Sequence, residues 1–381
     1  MFKRIVSIFI SVLLVFSVPI VANAVQTPAL EVSAPAAVLM EAESGKILFE
    51  KNSHEQRACA SVTKVMTLLL TMEALDSGRL GLSDTLTSSA HAASMGGSDI
   101  WLEEGETMSV DDLIKATAVA SANDAAVVLA ETISGSEDAF VAEMNKKAKS
   151  LGMKDTVFKN CNGLDEEGHL TSAYDVAVMS AELTKHPKIF DYTSIWLDNL
   201  RDGKTQIVNT NKLLKTYNGI TGLKTGTTND AGCCMSATAT RDGLSLIAVV
   251  LGCDTGTGRF ADSAALLDYG FANYTVQKLE LPKDVNKSQT VTGGMTDKVR
   301  LECPDPGSMV ISRTAGEAIT TECKIKKEIT APVKKGDVLG EVNYYSGKDM
   351  LKSVKITAKN SVEEMTFSSV FRELFRALVG V

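Results

Sequence analysis

The sequence predicts a large α/β (α+β) domain, built on an antiparallel sheet with a helical cluster, followed by a small all-β domain. Three observations lead there. Apolar runs of strand type lie at both ends of the stretch from Ala36 to Tyr274, and the residues between them have mainly helical apolar spacing. Three strand-type runs follow one another from Gly222 to Leu251, with Asp242-Gly243 as a hairpin signal. From Val276 onward, turn clusters such as Pro304-Asp305-Pro306-Gly307 separate short β-type runs. The expected division is a leader over 1–24, a large domain over 25–277, a β domain over 278–361 and a terminal helix over 362–381.

The elements follow in order. Lys3 and Arg4 precede an apolar run from Ile5 to Val21, and Ala22-Asn23-Ala24 fits a small-x-small cleavage site. A membrane span competes, because the run approaches bilayer length. The Ala-Asn-Ala ending and the polar chain after it favour cleavage and export. No Cys follows to accept a lipid. Ala-Val-Leu-Met and Lys-Ile-Leu-Phe around Glu43-Ser44-Gly45 predict two strands and a turn between Ala37 and Phe49. Val65, Leu68, Leu69, Met72 and Leu75 predict a helix over Ser61 to Ser77, stopped by Gly78. Two more helical segments, Asp111 to Ala120 and Asp124 to Ile133, flank Ser121-Ala122-Asn123. Gly222–Thr228, Cys233–Thr240 and Leu244–Leu251 are the strands, and a helix over Phe260 to Phe271 closes the region. If the terminal strands share one sheet, the middle helices cover it.

In the last stretch Phe367, Val370, Phe371, Leu374, Phe375 and Leu378 fall on or near one helical face, with Arg372 and Arg376 on another. An ordinary packed helix is one reading. Large aromatics and arginines at a terminal position favour a helix lying on a membrane surface.

Composition excludes some classes. The chain carries a formal charge of -8, and losing Lys3 and Arg4 with the leader makes it -10. No basic block is present, which argues against a nucleic-acid partner. Hydrophobic residues make up 44% of the chain, ample for a packed core. The seven cysteines are odd in number and lack a Cys-x-x-Cys pair, so no metal is expected and buried thiols are the default. Cys59, two residues before Ser61, would need its own base to act as a nucleophile.

The chemistry lies in three motifs in fixed order: Ser61-Val62-Thr63-Lys64, Ser121-Ala122-Asn123 and Lys224-Thr225-Gly226. Each alone reads as ordinary structure: a helix cap, a turn, a solvated strand. Their coincidence argues for an acyl-transfer site. Ser61 and Lys64 are three apart on a helix and share a face. Lys64 can therefore act as a base toward the Ser61 hydroxyl if burial or a neighbouring positive charge keeps it neutral. Lys224 would supply such a charge and, with Thr225, hold an anionic group. Ser121 would relay a proton, and Asn123 would orient the substrate backbone or Lys64. The N–H groups of Ser61 and of Thr227, after Gly226, are candidate oxyanion donors. A Ser-His-Asp triad would have to draw on His54, His91, His169 or His186, of which His54 and His169 are expected on the surface or in loops.

These motifs, with Ala120-Ser121-Ala122-Asn123-Asp124-Ala125-Ala126, Leu151-Gly152-Met153, Asn162-Gly163-Leu164-Asp165 and Gly222-Leu223-Lys224-Thr225-Gly226, resemble the low-molecular-mass penicillin-binding proteins. Those are the serine D-alanyl-D-alanine carboxypeptidases of the peptidase S11 type. The resemblance runs from about Ala36 to Tyr274, and the β domain and amphipathic tail fit the family layout. It implies a β-lactamase/transpeptidase-like fold and no cofactor. It implies that Ser61 attacks the D-Ala-D-Ala bond of a peptidoglycan stem peptide, that Lys224 and Thr225 meet its terminal carboxylate, and that β-lactams acylate Ser61. It also implies an enzyme outside the cell, at the outer face of the cytoplasmic membrane. Two positions depart from some relatives: Thr227 stands where they have His or an aromatic residue, and Asn162 where they have His. Asp175 resembles a family position near the site and reads equally as a helix cap. A β-lactamase would need a deacylating Glu, and Glu166 and Glu167 read as a solvated turn. A non-catalytic wall-binding protein could keep the same fold, and a transpeptidase could use the same acyl-enzyme.

Overall fold

In the computed structural model, residues 30–283, 285–313 and 319–379 are described. The expected leader lies outside them. Residues from Val32 onward form one compact unit. Its first element pair is a hairpin, β1 (Ala36–Glu41) and β2 (Ile47–Lys51). The later strands are β3 (Ile220–Thr228), β4 (Gly232–Arg241) and β5 (Leu244–Cys253). They join the hairpin in one antiparallel sheet of order β2-β1-β5-β4-β3. The two ends of this region therefore share a sheet, as the run pattern implied. Asp242 (φ 50°) and Gly243 (φ 78°) turn β4 into β5, the positive-φ pair that a two-residue hairpin requires.

The helices of this region longer than one turn are α1 (Lys64–Asp76), α2 (Val110–Lys115), α3 (Asn123–Ser134), α4 (Glu137–Ser150), α5 (Ala173–Thr184) and α6 (Gly256–Asn273). Ser109, Ser136, Ser172 and Thr255 cap α2, α4, α5 and α6 by accepting a backbone N–H three residues on. Helix α1 is buried nearly all round, from Lys64 through Met72, which marks it as the central element. It opens one turn later than its apolar spacing suggested, because Ala60–Thr63 form a tight 3-10 turn. Between α2 and α3 the chain widens into a π turn, Ala116–Ala120, and ends at Ser121 with φ 64°. Helix α6 extends beyond the expected Phe260–Phe271. It lies close on the sheet because Gly270 has no side chain: a Cβ there would stand 2.4 Å from Leu246 Cδ1 and 3.0 Å from Leu39 Cδ2.

Beyond α6, strands β6 (Tyr274–Lys278), β7 (Ser288–Thr290), β8 (Lys298–Glu302), β9 (Ser308–Ser312), β10 (Ile319–Ile325), β11 (Val338–Ser346) and β12 (Asp349–Ala358) follow. Five of them form a sheet of order β7-β8-β12-β11-β10, while β6 pairs with β9. Their core is separate from that of the first region and includes Val299, Leu301, Val342, Tyr344, Ile356 and Val362. The terminal helix α7 (Phe367–Val379) starts later than Val362, because Val362 is buried in this β core and bridged to Val333. Thr366 and Ser369 cap it reciprocally. Phe367, Phe371, Leu374, Phe375 and Leu378 are exposed, and the three phenylalanine rings stack in series. Among the described residues no helix is long and apolar enough to cross a membrane. Six cysteines are buried as expected; Cys323, on strand β10, is exposed.

Candidate active site

The three motifs meet at the N-terminal end of α1. Ala60, with φ 49°, bends the chain into the 3-10 turn that carries Ser61. Lys64, one turn on, is fully buried and donates to three oxygens: Ser61 Oγ at 3.0 Å, Asn123 Oδ1 at 2.5 Å and the Asn162 carbonyl at 2.7 Å. Burial pushes the Lys64 ammonium down to about 7, opposed by the nearby Asp124 carboxylate. Asn123 Nδ2 donates to the Gly96 carbonyl at 2.6 Å, and its backbone N–H to the Ser98 carbonyl at 2.7 Å. Of the two roles open to Asn123, this geometry selects the one that orients Lys64. Ser121 sits in its left-handed conformation in the same turn, nearly buried.

Strand β3 lines the other side. Gly226 packs so tightly on the nucleophile turn that a Cβ there would lie 2.7 Å from the Cys59 carbonyl oxygen and 2.8 Å from the Ser61 nitrogen. Lys224 is buried and donates to the Thr225 carbonyl at 2.9 Å. Burial, then the charges of Lys64 and Arg259, push its ammonium well below its ordinary value. The lysine charges act in one direction only: Lys64 helps lower Lys224, whereas burial, and not the charge of Lys224, lowers Lys64. An anion bound here would favour the charged form of either lysine. Thr225 Oγ1 donates to Thr210 Oγ1 at 2.7 Å, so its hydroxyl is already oriented. Thr227 follows on β3 opposite Cys233 and donates to the Gly226 carbonyl at 2.8 Å.

Three residues outside the three catalytic motifs support this arrangement. Arg259, near the start of α6, donates through Nη1 to the Gly226 carbonyl at 2.8 Å and to Thr227 Oγ1 at 2.7 Å. Asp124 is buried, and its carboxylate accepts from the N–H groups of Ile100, Leu102 and Ala125 at 2.8 to 3.2 Å. It thereby holds Trp101, which has φ 56° and is 77% exposed, on the loop that also accepts from Asn123. The third is His169, expected on the surface or in a loop; it does lie in a loop, but not on the surface. It is buried, and Nε2 lies 2.9 Å from Thr63 Oγ1. Its ring is drawn inward by Phe158, stacked edge-on at 5.8 Å.

Other expectations change as well. Asp175 is not the cap of α5, since Ser172 is; its carboxylate accepts from Asp155 N and Thr156 Oγ1 at 2.8 and 2.7 Å. His54, His91 and His186 face Asp155, Glu137 and Asp76 rather than Ser61. Glu166 and Glu167 are exposed, as the acidic turn suggested, and line a cavity of about 510 Å³ with Ala60, Gly163, His169 and Asp230. No cluster able to hold a metal occurs among the described residues.

An α+β fold that gathers Ser-x-x-Lys, Ser-x-Asn and Lys-Thr-Gly around one cleft defines the class of active-site-serine, penicillin-recognising proteins. Within that class, the chain belongs to the D-alanyl-D-alanine carboxypeptidase family, whose model matches residues 21–255. Residues 274–364 match the C-terminal domain of penicillin-binding protein 5. The chain is 43% identical over 348 residues to the D-alanyl-D-alanine carboxypeptidase DacF of Bacillus subtilis, covering 90% of this chain and 89% of that protein. Penicillin-binding protein 5 of Haemophilus influenzae has a similar structure, with 32% identity, a TM-score of 0.78, and coverage of 88% of this chain and 98% of that one. Penicillin-binding protein D2 of Listeria monocytogenes, solved in an ampicillin-bound form, is 35% identical with a TM-score of 0.59, covering 64% of this chain and all of that one (100%).

Proposed function

We propose that the chain is a serine D-Ala-D-Ala carboxypeptidase that trims the terminal D-alanine from peptidoglycan pentapeptides and is acylated by β-lactams. The observation that carries this reading is Lys64, buried, lowered to about 7 and 3.0 Å from Ser61 Oγ. Neutral Lys64 takes the Ser61 proton as Oγ attacks the carbonyl of the penultimate D-Ala. The Ser61 and Thr227 N–H groups receive the developing oxyanion. The proton passes through Ser121 to the amine of the departing D-Ala. Water then attacks the Ser61 ester, Lys64 again accepting a proton, and the tetrapeptide leaves with Ser61 restored. Lys224 and Thr225, on a strand spaced from Ser61 by Gly226, hold the substrate carboxylate, and the exposed carboxylates of Glu166 and Glu167 take no part. No step calls for a cofactor.

The protein acts outside the cell. The basic, apolar, Ala-Asn-Ala leader supports export, and the exposed phenylalanine face of α7 supports anchoring on the membrane surface. The region through α6 forms the catalytic domain, and the β domain, which keeps Val362 in its core, sets it off from the anchor.

Intact mass spectrometry after mixing with penicillin, followed in time, tests the reading. The expected result is one covalent adduct that decays slowly, is absent in Ser61→Ala, and is accompanied by D-Ala release from a D-Ala-D-Ala peptide. Wild-type labelling of Ser61→Ala removes Ser61 as nucleophile. Decay within seconds indicates a β-lactamase instead.

A further inference from the structure

The segment 159–170 grips the nucleophile turn at three points. The Asn162 carbonyl accepts from Lys64 Nζ at 2.7 Å. Gly163 crosses the turn so closely that a Cβ there would lie 2.0 Å from the Ala60 carbonyl oxygen and 2.8 Å from Thr63 Oγ1. The third point is the contact of His169 Nε2 with Thr63 Oγ1 at 2.9 Å. Thr63 is the third residue of Ser-Val-Thr-Lys, buried and with no part in the chemistry described above.

The direction of that hydrogen bond is fixed. The Lys159 backbone N–H, which can only donate, reaches His169 Nδ1 at 3.3 Å. The imidazole proton therefore sits on Nε2 and is donated to Thr63 Oγ1. The Thr63 hydroxyl also faces Cys59 Sγ at 3.3 Å, on the far side of Ser61 in the same turn. Burial pushes the His169 imidazolium down to about 4, so the ring stays neutral and keeps this tautomer at physiological pH.

We propose that His169 is a positioning residue for acylation: through Thr63 it locks segment 159–170 to the Ser61 turn and so sets the Asn162 carbonyl against Lys64. The proposal rests on the reading of Ser61 and Lys64 given above. Two of the three grips, Asn162 and Gly163, lie six or seven residues before His169 on one segment, with Phe158 and Leu170 at its base bonded through Asn145 and Val157. Among the described residues, the Thr63 bond is the polar tie between the far limb of the segment and the turn itself; the Arg57–Thr171 backbone pair lies just outside both. A displacement of the order of 1 Å at a catalytic contact costs up to about 10²-fold in rate.

Two near-isosteric variants separate this role from general support of the fold. A glutamine amide can place its nitrogen where Nε2 lies and donate to Thr63. An asparagine amide reaches only the Nδ1 position, keeping the bond from Lys159 and losing the one to Thr63. Each variant removes one hydrogen bond. The second-order rate of acylation by fluorescent penicillin and the melting temperature are measured for H169Q, H169N and T63V. H169Q is expected to keep at least roughly a third of the wild-type rate, and H169N to lose about 10-fold or more, at similar melting temperatures. T63V should match H169N, and the H169N/T63V pair should lose no more than either alone. Wild-type acylation of H169N, or equal slowing of H169N and H169Q, overturns the proposal. If H169N does not fold, wild-type acylation of T63V overturns it by the same criterion. A wild-type protein that takes no penicillin at all refutes the acyl-serine reading instead, which keeps the two failures distinct.

Discussion

Gly226 and Ser61 belong to motifs far apart in sequence, yet their backbones touch: a Cβ on Gly226 would lie 2.8 Å from the Ser61 nitrogen. A strand and a helix-opening turn can approach this closely only where no side chain intervenes. The contact sets β3 against the Ser61 turn, and in the proposed mechanism the N–H groups of Ser61 and Thr227 receive the oxyanion. Gly226→Ala must push β3 away from the turn. The expected outcome is a loss of acylation of at least about 10²-fold. Overpacking should lower stability by about 1–3 kcal/mol. Penicillin labelling and thermal unfolding measure the two; a variant with unchanged labelling would show that the gap between strand and turn is not part of the site.

The pH dependence follows from Lys64. Its folded value of about 7 lies below the ordinary lysine value of 10.5 because the ammonium is buried. Below about 7 the folded protein holds Lys64 charged and unable to accept the Ser61 proton. Acylation should therefore rise with pH through about 7 and level off above it. The sign for stability is the same: between about 7 and 10.5 the unfolded chain binds the proton that the folded chain has released, so stability contributed by this group grows as pH rises and is lost as it falls. A rate limb centred near 10 would show that Lys64 is charged in the working site. Lys64→Arg, which cannot release its proton, should remove acylation at every pH on that profile.

Much of this was legible because it is local or patterned. Ser61 with Lys64, Asn123, and Lys224 with Thr225 and Gly226 were marked by type and spacing, and the shared sheet followed from strand-type runs at both ends. What escaped was held together by contacts between distant positions. His169 is a loop residue, as its acidic and polar neighbours suggested, but its burial was not legible, because only folding brings Phe158 and Thr63 to it. Arg259 lies in an ordinary helix start, and its role depends on the Gly226 carbonyl across the cleft. The late start of the terminal helix had a similar cause, since Val362 has the apolar character of the helix face but serves the β core.

Asp124 offers a test of such a long-range contact. Its buried carboxylate accepts from three backbone N–H groups, and two of those groups flank Trp101. In Asp124→Asn the side chain keeps one accepting oxygen and gains an amide that finds N–H groups opposite it. The expected cost is about 1–3 kcal/mol in unfolding free energy. Freed from its left-handed conformation, Trp101 should change its emission and its acrylamide quenching, read in a Trp196→Phe background. Unchanged Trp101 emission with lowered stability would mean that the loop keeps its shape without the carboxylate.

The exposed face of α7 makes a separable prediction about location. Phe367, Phe371, Phe375 and Leu378 stand in solvent, and burying such side chains in a lipid interface is favourable by about 25 cal/mol per Å² of apolar area. Arg372 and Arg376 add attraction to anionic headgroups. Removing residues 367–381 leaves Val362 and its bridge to Val333 in place, whereas a cut at Val362 would open the β core. The shorter truncation should therefore unfold at the same temperature as the mature protein, release D-Ala at the same rate, and no longer sediment with vesicles containing anionic lipid. The double change Phe371→Ser and Phe375→Ser should weaken sedimentation in the same direction while leaving the helix in place. Vesicle binding that survives the truncation would assign the membrane contact to another surface, and loss of D-Ala release with it would mean that α7 supports the catalytic domain rather than its address.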